Sequence, residues 1–296
     1  MKRPKLLIGL SLVLALTPTL ISATLEAYHK FSPKELAQHC LFYPIKSAAY
    51  FTLKENMLGG SARHVEFPSS NGALLHGVYL KKPNSEYTFL LHYGQGGNIA
   101  SNIGLARMVL MSDQSVFAYD YQGYGMSDGK PSLKNMSEDG LAANDYLVKE
   151  LGIDPSQIVQ YGVSLGTGVA SYTACRRKSA ALVLFSPYTS LYELARERMP
   201  FFYLYPENMY PAPDIGTRPF FNVNEKTPVF IWHGEQDPII GVNHTKNLAK
   251  ICKSPLTLKI DSQLHHGDWS INEMSEDIKT FLKKVSTLKG SKIAGF

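Results

Sequence analysis

Apolar positions along the chain follow two different periods. Short apolar runs of the kind that form buried strands are separated by longer segments in which apolar residues recur every three or four positions, as on one side of an amphipathic helix. The runs predict eight strands, at residues 62–67, 74–81, 87–93, 115–119, 158–161, 181–185, 229–232 and 256–260. The amphipathic segments predict helices at residues 137–151, 164–177, 242–252 and 271–288.

The alternation of strands and helices indicates the fold class. It predicts an α/β fold in which a mainly parallel sheet of eight strands is covered by helices on both faces. The first two strands are joined by a turn at residues 70–72 and are expected to form an antiparallel hairpin at one edge. Active residues should lie on loops at the carboxyl ends of the parallel strands.

One long interval, from Pro187 to Pro228, breaks the alternation because it contains no strand pattern. It is rich in aromatic residues and proline, notably at residues 200–206 and 210–213. Long insertions at the functional edge of a sheet often serve as lids. An insertion after the sixth strand, at about residues 191–226, is therefore expected to form an apolar wall over the site. A helical excursion that only packs on the core explains the same composition equally well.

The first residues differ from the rest of the chain. A basic start precedes a nearly pure apolar run at residues 6–16, and no charged residue occurs from Leu6 to Leu25. This layout predicts a signal peptide or an uncleaved membrane anchor at residues 1–23. The protein is then exported (periplasmic, secreted or lumenal) or anchored at a membrane surface. The alternative is a buried N-terminal helix of a cytosolic protein.

The remaining chain divides into two parts. Residues 24–60 form an N-terminal extension of mixed helical and irregular character, in which the aromatic segment 40–44 is expected to pack on the body of the protein. Residues 61–296 contain all the predicted strands and form the main domain. The formal net charge of +5 at pH 7 arises partly from the N-terminal segment, and the other basic residues are scattered. Such scatter is typical of a solvated surface and argues against a nucleic-acid partner.

The three cysteines are Cys40, Cys175 and Cys252. They allow at most one intramolecular disulfide, and their spacing matches no metal site. Packing is the expected role of all three. No metal ion and no cofactor is therefore expected.

A nucleophile elbow is predicted where the strand at residues 158–161 meets the following helix. Gly162 and Gly166 flank Ser164 in the order Gly-x-Ser-x-Gly, and small residues follow. The turn must be sharp enough to raise the serine hydroxyl above the sheet, and larger side chains at the two glycines would collide with neighbouring backbone. Gly168 is expected to let the helix lie close to the strands. Ser164 is therefore the predicted nucleophile.

The same pattern occurs a second time, around Ser127. That match follows a loop-like segment and runs into Gly129 and Pro131, which cannot open a regular helix. Ser127 thus lacks both the strand and the helix that an elbow needs.

A serine nucleophile needs a base and an acid, which are expected in the order Ser, Asp or Glu, His. Asp237 follows the strand at residues 229–232, and Glu235 competes with it but is expected to face solvent. Two adjacent histidines follow the last strand. His266 is favoured as the base because Gly267 permits a tight exit, although local geometry permits His265 equally.

Acyl transfer also needs hydrogen-bond donors for the developing oxyanion. One expected donor is the backbone N–H of Leu165, at the positive end of the helix after the nucleophile. The second is assigned to the backbone N–H of Gln95, in the glycine-rich loop that follows the third strand.

Taken together, ordered motifs from about Phe67 to Leu282 closely resemble those of the α/β-hydrolase superfamily. The matching segments are the oxyanion loop at 93–98, the Asp-Tyr-Arg-Gly-Tyr-Gly signature at 120–132, the elbow at 162–166, the segment after the sixth strand at 186–191, the His-Gly-x-x-Asp acid loop at 233–237 and the base loop at 266–268. Two positions depart from the pattern, Tyr93 in place of histidine and Gln122 in place of arginine. The resemblance explains Ser127 as part of a structural loop.

The most similar branch is that of the membrane-associated α/β-hydrolase-domain serine hydrolases, relatives of acyl-protein thioesterases and monoacylglycerol lipases. This resemblance implies an α/β-hydrolase fold and a serine hydrolase that cleaves carboxylic esters or thioesters, with small-molecule, lipid-like acyl substrates. Prolyl-oligopeptidase-like hydrolases share much of the pattern, so a serine peptidase is an alternative. A non-catalytic binding protein of this fold is another.

Overall fold

The computed structural model describes residues 20–47 and 61–293, and two sheets and nine α-helices are found there. The strands are β1 (Tyr43–Pro44), β2 (Ser61–Pro68), β3 (Leu74–Lys81), β4 (Thr88–His92), β5 (Gly96–Gly97), β6 (Ser115–Tyr119), β7 (Ile158–Val163), β8 (Ala181–Phe185), β9 (Val229–Gly234) and β10 (Leu256–Asp261). The helices are α1 (residues 20–30), α2 (Pro33–Cys40), α3 (Ile103–Met111), α4 (Leu133–Lys149), α5 (Leu165–Ala174), α6 (Leu191–Arg198), α7 (Arg218–Val223), α8 (Asn243–Ile251) and α9 (Ile271–Ile293).

Eight strands form one sheet in the order β10-β9-β8-β7-β4-β6-β3-β2. Strands β2 and β3 pair antiparallel at the edge, β3 also runs antiparallel to β6, and all other pairs in this sheet are parallel. The five strands from β9 to β6 in this order are buried along their whole length, as expected for strands covered on both faces. The predicted mainly parallel sheet of eight strands, with its edge hairpin, is confirmed.

The sheet register brings the loops after β7, β9 and β10 to one edge. Gly162 lies beside Leu184 of β8, and the ends of β9 and β10 lie side by side, with His233 opposite Ile260. Since parallel strands end on the same side of a sheet, the segments that follow these three strands meet there.

Helix α4 begins earlier than the predicted residue 137. The Ser132 side chain caps it by accepting a hydrogen bond from the Asn135 N–H at 3.0 Å, so the helix starts at Leu133. The buried side includes Met136, Gly140, Ala143 and Leu147, whereas Leu141 and Tyr146 are only half-buried. Glycine and alanine allow close packing on this side but carry little hydrophobic signal, so the apolar pattern defines it poorly.

Helix α3 was not predicted. Its sequence is nearly all apolar, so it lacks the alternation with polar residues that marks an amphipathic helix. Five of its residues, Leu105, Ala106, Met108, Val109 and Leu110, are buried. Helix α5 also ends at Ala174, before the predicted residue 177.

The N-terminal extension contacts the main domain, as expected for the aromatic segment. Leu41 and Phe42 pack against the hydrophobic core, and β1 pairs in parallel with β5, with Tyr43 beside Gly96. The Tyr43 side chain itself is exposed. The predicted signal peptide or anchor lies mostly in residues 1–19, outside the described residues. Within the residues that are described, no helix combines the length and the apolar character needed to cross a bilayer.

The interval between β8 and β9 contains α6, α7 and two short 3-10 turns, and the structure shows no strand in its residues, all of which are described. Phe202, Tyr205 and Tyr210 form a separate cluster that packs with Tyr28 of α1 and Leu36 of α2. These aromatic side chains therefore pack against the N-terminal helices and do not line the cavity beside Ser164. Within the insertion it is α6, through Leu191 and Leu194, that lines this cavity, whereas Tyr205 stacks on Tyr28. The role of the insertion as a lid remains a prediction.

The cysteines differ from expectation. All three are free, and Cys40 and Cys175 are exposed, whereas Cys252 packs against a smaller cluster of buried residues. A packing role is therefore correct only for Cys252. Cys40 and Cys175 lie at or beside the ends of helices, where side chains reach solvent.

Two buried carboxylates hold the loop between β6 and α4, and each accepts a hydrogen bond from one of the two residues that depart from the family pattern. Asp120 accepts hydrogen bonds from the Tyr93 hydroxyl at 2.9 Å and from the Ile99 N–H at 2.8 Å. Asp139 accepts from the backbone and side-chain N–H groups of Gln122, at 2.8 and 2.7 Å. All these donors are neutral. Burial consequently raises the pKa of each carboxyl to about 6 despite these bonds.

Replacing Asp139 with asparagine should change how stability depends on pH. The folded-state pKa of about 6 lies above the unfolded value of 3.8, so this carboxyl stabilises the fold below pH 4 and that contribution is lost as the pH rises through 6. Relative to wild type, the free energy of unfolding of Asp139→Asn should therefore rise by about 2 kcal/mol between pH 4 and pH 8. Urea unfolding at several pH values measures this difference. Other titrating groups are common to both proteins and cancel, so a difference that does not vary with pH would contradict the prediction.

Candidate active site

Ser164 stands at a sharp turn between β7 and α5. Its φ of 52° and ψ of −124° are unusual for a residue with a side chain, and such strain occurs where surrounding structure enforces it. Two backbone hydrogen bonds enforce it here: the Ser164 N–H donates to Phe185 O at 2.9 Å, and Ser164 O accepts from the Thr167 N–H at 2.9 Å. The predicted elbow is present.

The glycines around Ser164 are needed because backbone surrounds them. A Cβ on Gly162 would lie 2.6 Å from the carbonyl oxygen of Gly166, and one on Gly166 would overlap the carbonyl group of His92. Gly168 differs from its predicted role. It faces the carbonyl of Ile215, so it allows close approach of the insertion after β8 and not of the strands.

Ser127, the second match to the elbow pattern, is fully buried. Its hydroxyl donates to Asp120 O at 2.7 Å and accepts from the His76 N–H at 3.0 Å. Both bonds hold neighbouring backbone in place. Ser127 thus has the structural role that its loop context predicts.

Asp237 lies just after β9 with its side chain buried. Its Oδ1 accepts from the N–H groups of Ile239 and Ile240, each at 2.8 Å, and its Oδ2 lies 2.7 Å from Nδ1 of His266. Burial alone raises the pKa of this carboxyl, but hydrogen bonds from two histidines and from the backbone outweigh burial and hold the pKa well below its usual range. Glu235, its rival, is exposed and pairs with Lys246 at 3.2 Å.

The two adjacent histidines lie in different environments. His266 lies between Asp237 and Ser164, with Nε2 at 3.2 Å from Ser164 Oγ. His265 has a 54% exposed side chain and contacts Asp268 at 3.3 Å. Gly267 has a φ of +86°, which gives the tight exit expected after His266. The structure brings Ser164, Asp237 and His266 into one chain of hydrogen bonds.

The hydrogen-bond partners of His266 imply its tautomer. The ionised Asp237 carboxylate can only accept, so Nδ1 of His266 carries hydrogen and donates to it. In the neutral ring, Nε2 then has a free lone pair that faces the Ser164 hydroxyl. This arrangement can take a proton from Ser164 while Asp237 holds the ring in place.

His233 is a residue to which sequence reasoning assigned no role at this site. It is fully buried in β9, with Nε2 at 2.8 Å from Ile240 O and 3.3 Å from Asp237 Oδ2, and Nδ1 at 2.7 Å from Thr245 Oγ1. Because a carbonyl can only accept, Nε2 carries the hydrogen. The ring therefore braces the loop that presents Asp237. The sequence feature that could have pointed to His233 is its position in the His-Gly-x-x-Asp motif.

Both predicted oxyanion donors border the cavity at Ser164. Leu165 is the first residue of α5, so its N–H belongs to the helix end that lacks intrahelical acceptors. Gln95 lies on the facing loop, which two hydrogen bonds to its carbonyl hold in place: from the Tyr124 hydroxyl at 2.7 Å and from the Tyr43 N–H at 2.9 Å. A Cβ on Gly94 would lie 3.4 Å from Ser164 Cβ, which shows how closely this loop approaches the serine.

A cavity of about 510 Å³ opens over Ser164 and His266. Its walls are mainly apolar and come from α3, α6, the acid loop and Leu41, which follows α2; Leu105, Met108 and Leu194 are among them. Among the described residues that line it, none is Asp, Glu, Lys or Arg. A mainly apolar pocket with a few convergent polar groups is typical of small-molecule sites.

Comparisons with known proteins agree with this architecture. Residues 87–215 match the family model described as alpha/beta hydrolase fold. The chain is 33% identical over 206 residues to alpha/beta hydrolase domain-containing protein 17B of Xenopus tropicalis, which covers 68% of this chain and 67% of that protein. It is 32% identical over 208 residues to the Homo sapiens protein of the same name, covering 68% of each chain.

Among solved structures, an esterase of Pyrococcus furiosus has the same fold, with a TM-score of 0.69 and 19% identity over 83% of this chain and 98% of that one. The residues matched by the family model include β4, the loop with Gln95 and the elbow at Ser164, whereas Asp237 and His266 lie beyond them. The chain therefore belongs to the α/β-hydrolase family and is a hydrolytic enzyme of that fold.

Proposed function

We propose that this enzyme is a serine hydrolase that cleaves carboxylic esters or thioesters of apolar acyl groups through an acyl-enzyme intermediate. The observation that carries the proposal is the hydrogen-bonded series from Asp237 to His266 at 2.7 Å and from His266 to Ser164 at 3.2 Å, at the base of an apolar cavity. A nucleophile within reach of a base, itself oriented by a carboxylate, is the arrangement that activates a serine.

Acylation begins at the serine hydroxyl. Ser164 Oγ attacks the carbonyl carbon while Nε2 of His266 takes its proton, and Asp237 stabilises the resulting imidazolium. The negative charge on the former carbonyl oxygen is held by the backbone N–H groups of Leu165 and Gln95. His266 then donates its proton to the leaving alcohol or thiol, and the acyl group remains on Ser164.

Deacylation repeats these steps with water. His266 removes a proton from a water molecule that attacks the acyl-enzyme, the oxyanion again occupies the same donors, and the acid leaves as Ser164 regains its proton. No other reactant is needed, because water supplies both the hydroxyl of the acid and the proton of the leaving group.

The cavity lining supports esters over peptides. A peptidase that recognises short peptides benefits from charged side chains that pair with the peptide termini, and the described lining contains no Lys, Arg, Asp or Glu. Burial of an uncharged acyl chain against apolar side chains such as Leu191, Leu194 and Ile239 is more favourable than burial of a charged peptide terminus there.

A substrate panel tests this choice. We expect kcat/KM to rise from p-nitrophenyl acetate to the octanoate by about tenfold or more, because each buried methylene contributes about 0.8 kcal/mol to binding in the transition state. Acyl thioesters of the same lengths should follow the same trend. Dipeptide p-nitroanilides serve as the comparison, and faster cleavage of these amides than of any ester would favour a peptidase instead.

A further inference from the structure

A second apolar space lies next to the catalytic cavity, between α2 of the N-terminal extension and α6 of the insertion. It is a groove of about 300 Å³. Leu36, Ala37 and Cys40 line it from α2, and Ala195 and Met199 line it from α6 and its end.

The groove and the catalytic cavity adjoin each other. Leu41, Gln95, Leu191, Leu194 and Ile239 line both spaces, so these residues lie at the junction between them. Gln95 also carries the backbone N–H that faces the oxyanion in the proposed reaction. A substrate whose carbonyl lies at Ser164 would reach the groove by passing between these shared residues.

The chemistry of the groove suits hydrocarbon. Apart from Gln95, the only described lining residue with a charged or amide side chain is Arg198, whose guanidinium donates a hydrogen bond to the carbonyl of Pro238. The other walls are aliphatic or aromatic, with Phe202 and Leu36 among them. No carboxylate or amine among the described lining residues is available to bind a polar headgroup.

The outer part of the groove is held in place by aromatic contacts. Tyr28 of α1 stacks on Tyr205 with ring centroids 4.4 Å apart, and its hydroxyl donates to Leu204 O at 2.9 Å. Phe202 and Leu36, which line the groove, belong to the same cluster. These contacts hold the N-terminal helices against the insertion.

We propose that this groove binds the tail of a medium or long unbranched acyl chain while the ester or thioester carbonyl lies at Ser164. This inference rests on the proposed function and adds a location: the N-terminal extension, through α2, forms part of the substrate site. It also assigns the selection of chain length to α2 and α6. Burial of each further methylene in such a groove raises kcat/KM about fourfold.

Filling the groove tests the proposal. In the full chain, Ala37→Trp should lower the ratio of kcat/KM for p-nitrophenyl decanoate to that for the acetate by about tenfold or more, because the indole occupies space that the distal methylenes need. The readout is a ratio, so a general loss of active protein cancels. Lys34→Trp is the matched control, since Lys34 is an exposed residue of α2 outside the groove, and its ratio should stay within about twofold of wild type.

A second variant keeps the test valid if Ala37→Trp does not fold. Ala195→Phe reduces the groove from the opposite wall and should shift the same ratio in the same direction. If both variants hydrolyse the esters with the wild-type ratio, the acyl tail does not lie in the groove and the inference is wrong. If the wild-type protein cleaves none of the esters, the proposed function itself is contradicted.

Cross-linking would locate the acyl tail directly. A decyl fluorophosphonate with a diazirine at the end of its chain should react at Ser164 and, on irradiation, cross-link to residues of α2 or to Met199 or Phe202. Cross-links confined to Leu105 and Met108 of α3, on another wall of the cavity, would overturn the groove assignment while leaving the serine mechanism standing. Absence of reaction at Ser164 would instead contradict the proposed function.

Discussion

Ser164→Ala is expected to lower kcat for ester hydrolysis by about 10⁵-fold or more and to abolish labelling by a fluorophosphonate probe. The hydroxyl is the only group of Ser164 that can form the acyl-enzyme, and loss of the nucleophile removes the whole covalent route. The methyl side chain of alanine fits the space that serine leaves, and the backbone bonds that hold the elbow remain. The protein should therefore stay folded, which circular dichroism and a thermal unfolding curve would verify.

The second Gly-x-Ser-x-Gly sequence provides a matched control for this experiment. Ser127→Ala removes a buried hydroxyl with two hydrogen bonds and should cost about 1–3 kcal/mol of stability, but the folded fraction should still react with the probe. Labelling that persists in Ser164→Ala, or that disappears only in Ser127→Ala, would show that the wrong serine has been chosen.

The second large effect is expected at the histidine pair. His266→Ala should reduce kcat by about 10⁴-fold or more, because Ser164 loses its only base within hydrogen-bonding distance in the described structure. His265→Ala should change kcat by about threefold or less, since the half-exposed His265 side chain lies beside Asp268 at the surface, where an ion pair contributes little.

Initial rates with one p-nitrophenyl ester compare the two variants directly. The residues are adjacent and undergo the same substitution, so each variant is the control for the other. Added imidazole should restore part of the rate in His266→Ala by entering the space beside Asp237 and Ser164, and it should not affect His265→Ala. A large loss in His265→Ala alone would reassign the base.

Much of the fold could be predicted because its signal is local. The apolar runs of β4, β6, β7 and β8 are buried on both faces, so their hydrophobic character does not depend on orientation. The same reasoning failed for α3, which is apolar on nearly all sides and gives no helical period.

The site could be predicted from a second kind of local signal, the turns of the chain. The glycines around Ser164 and the loops after β9 and β10 carry local requirements of turn geometry that appear in the order of residues. Two adjacent histidines share that local signal, however, so sequence could only favour one of them. The orientation of the His266 ring depends on Asp237, which is 29 positions away along the chain, whereas His265 contacts Asp268.

The sheet of alternating strands and helices, the position of the elbow and the order of the acid and base loops follow from the amino-acid sequence alone. Each of these depends on residue spacing and on the chain's turns. Three other features are visible only in the folded structure: His233 braces the Asp237 loop, the aromatic segment of the insertion packs on α1, and α2 and α6 form a groove that adjoins the cavity. These features arise between segments far apart in the chain, where close packing and hydrogen bonding depend on how the elements are arranged and leave no periodic pattern in either segment alone.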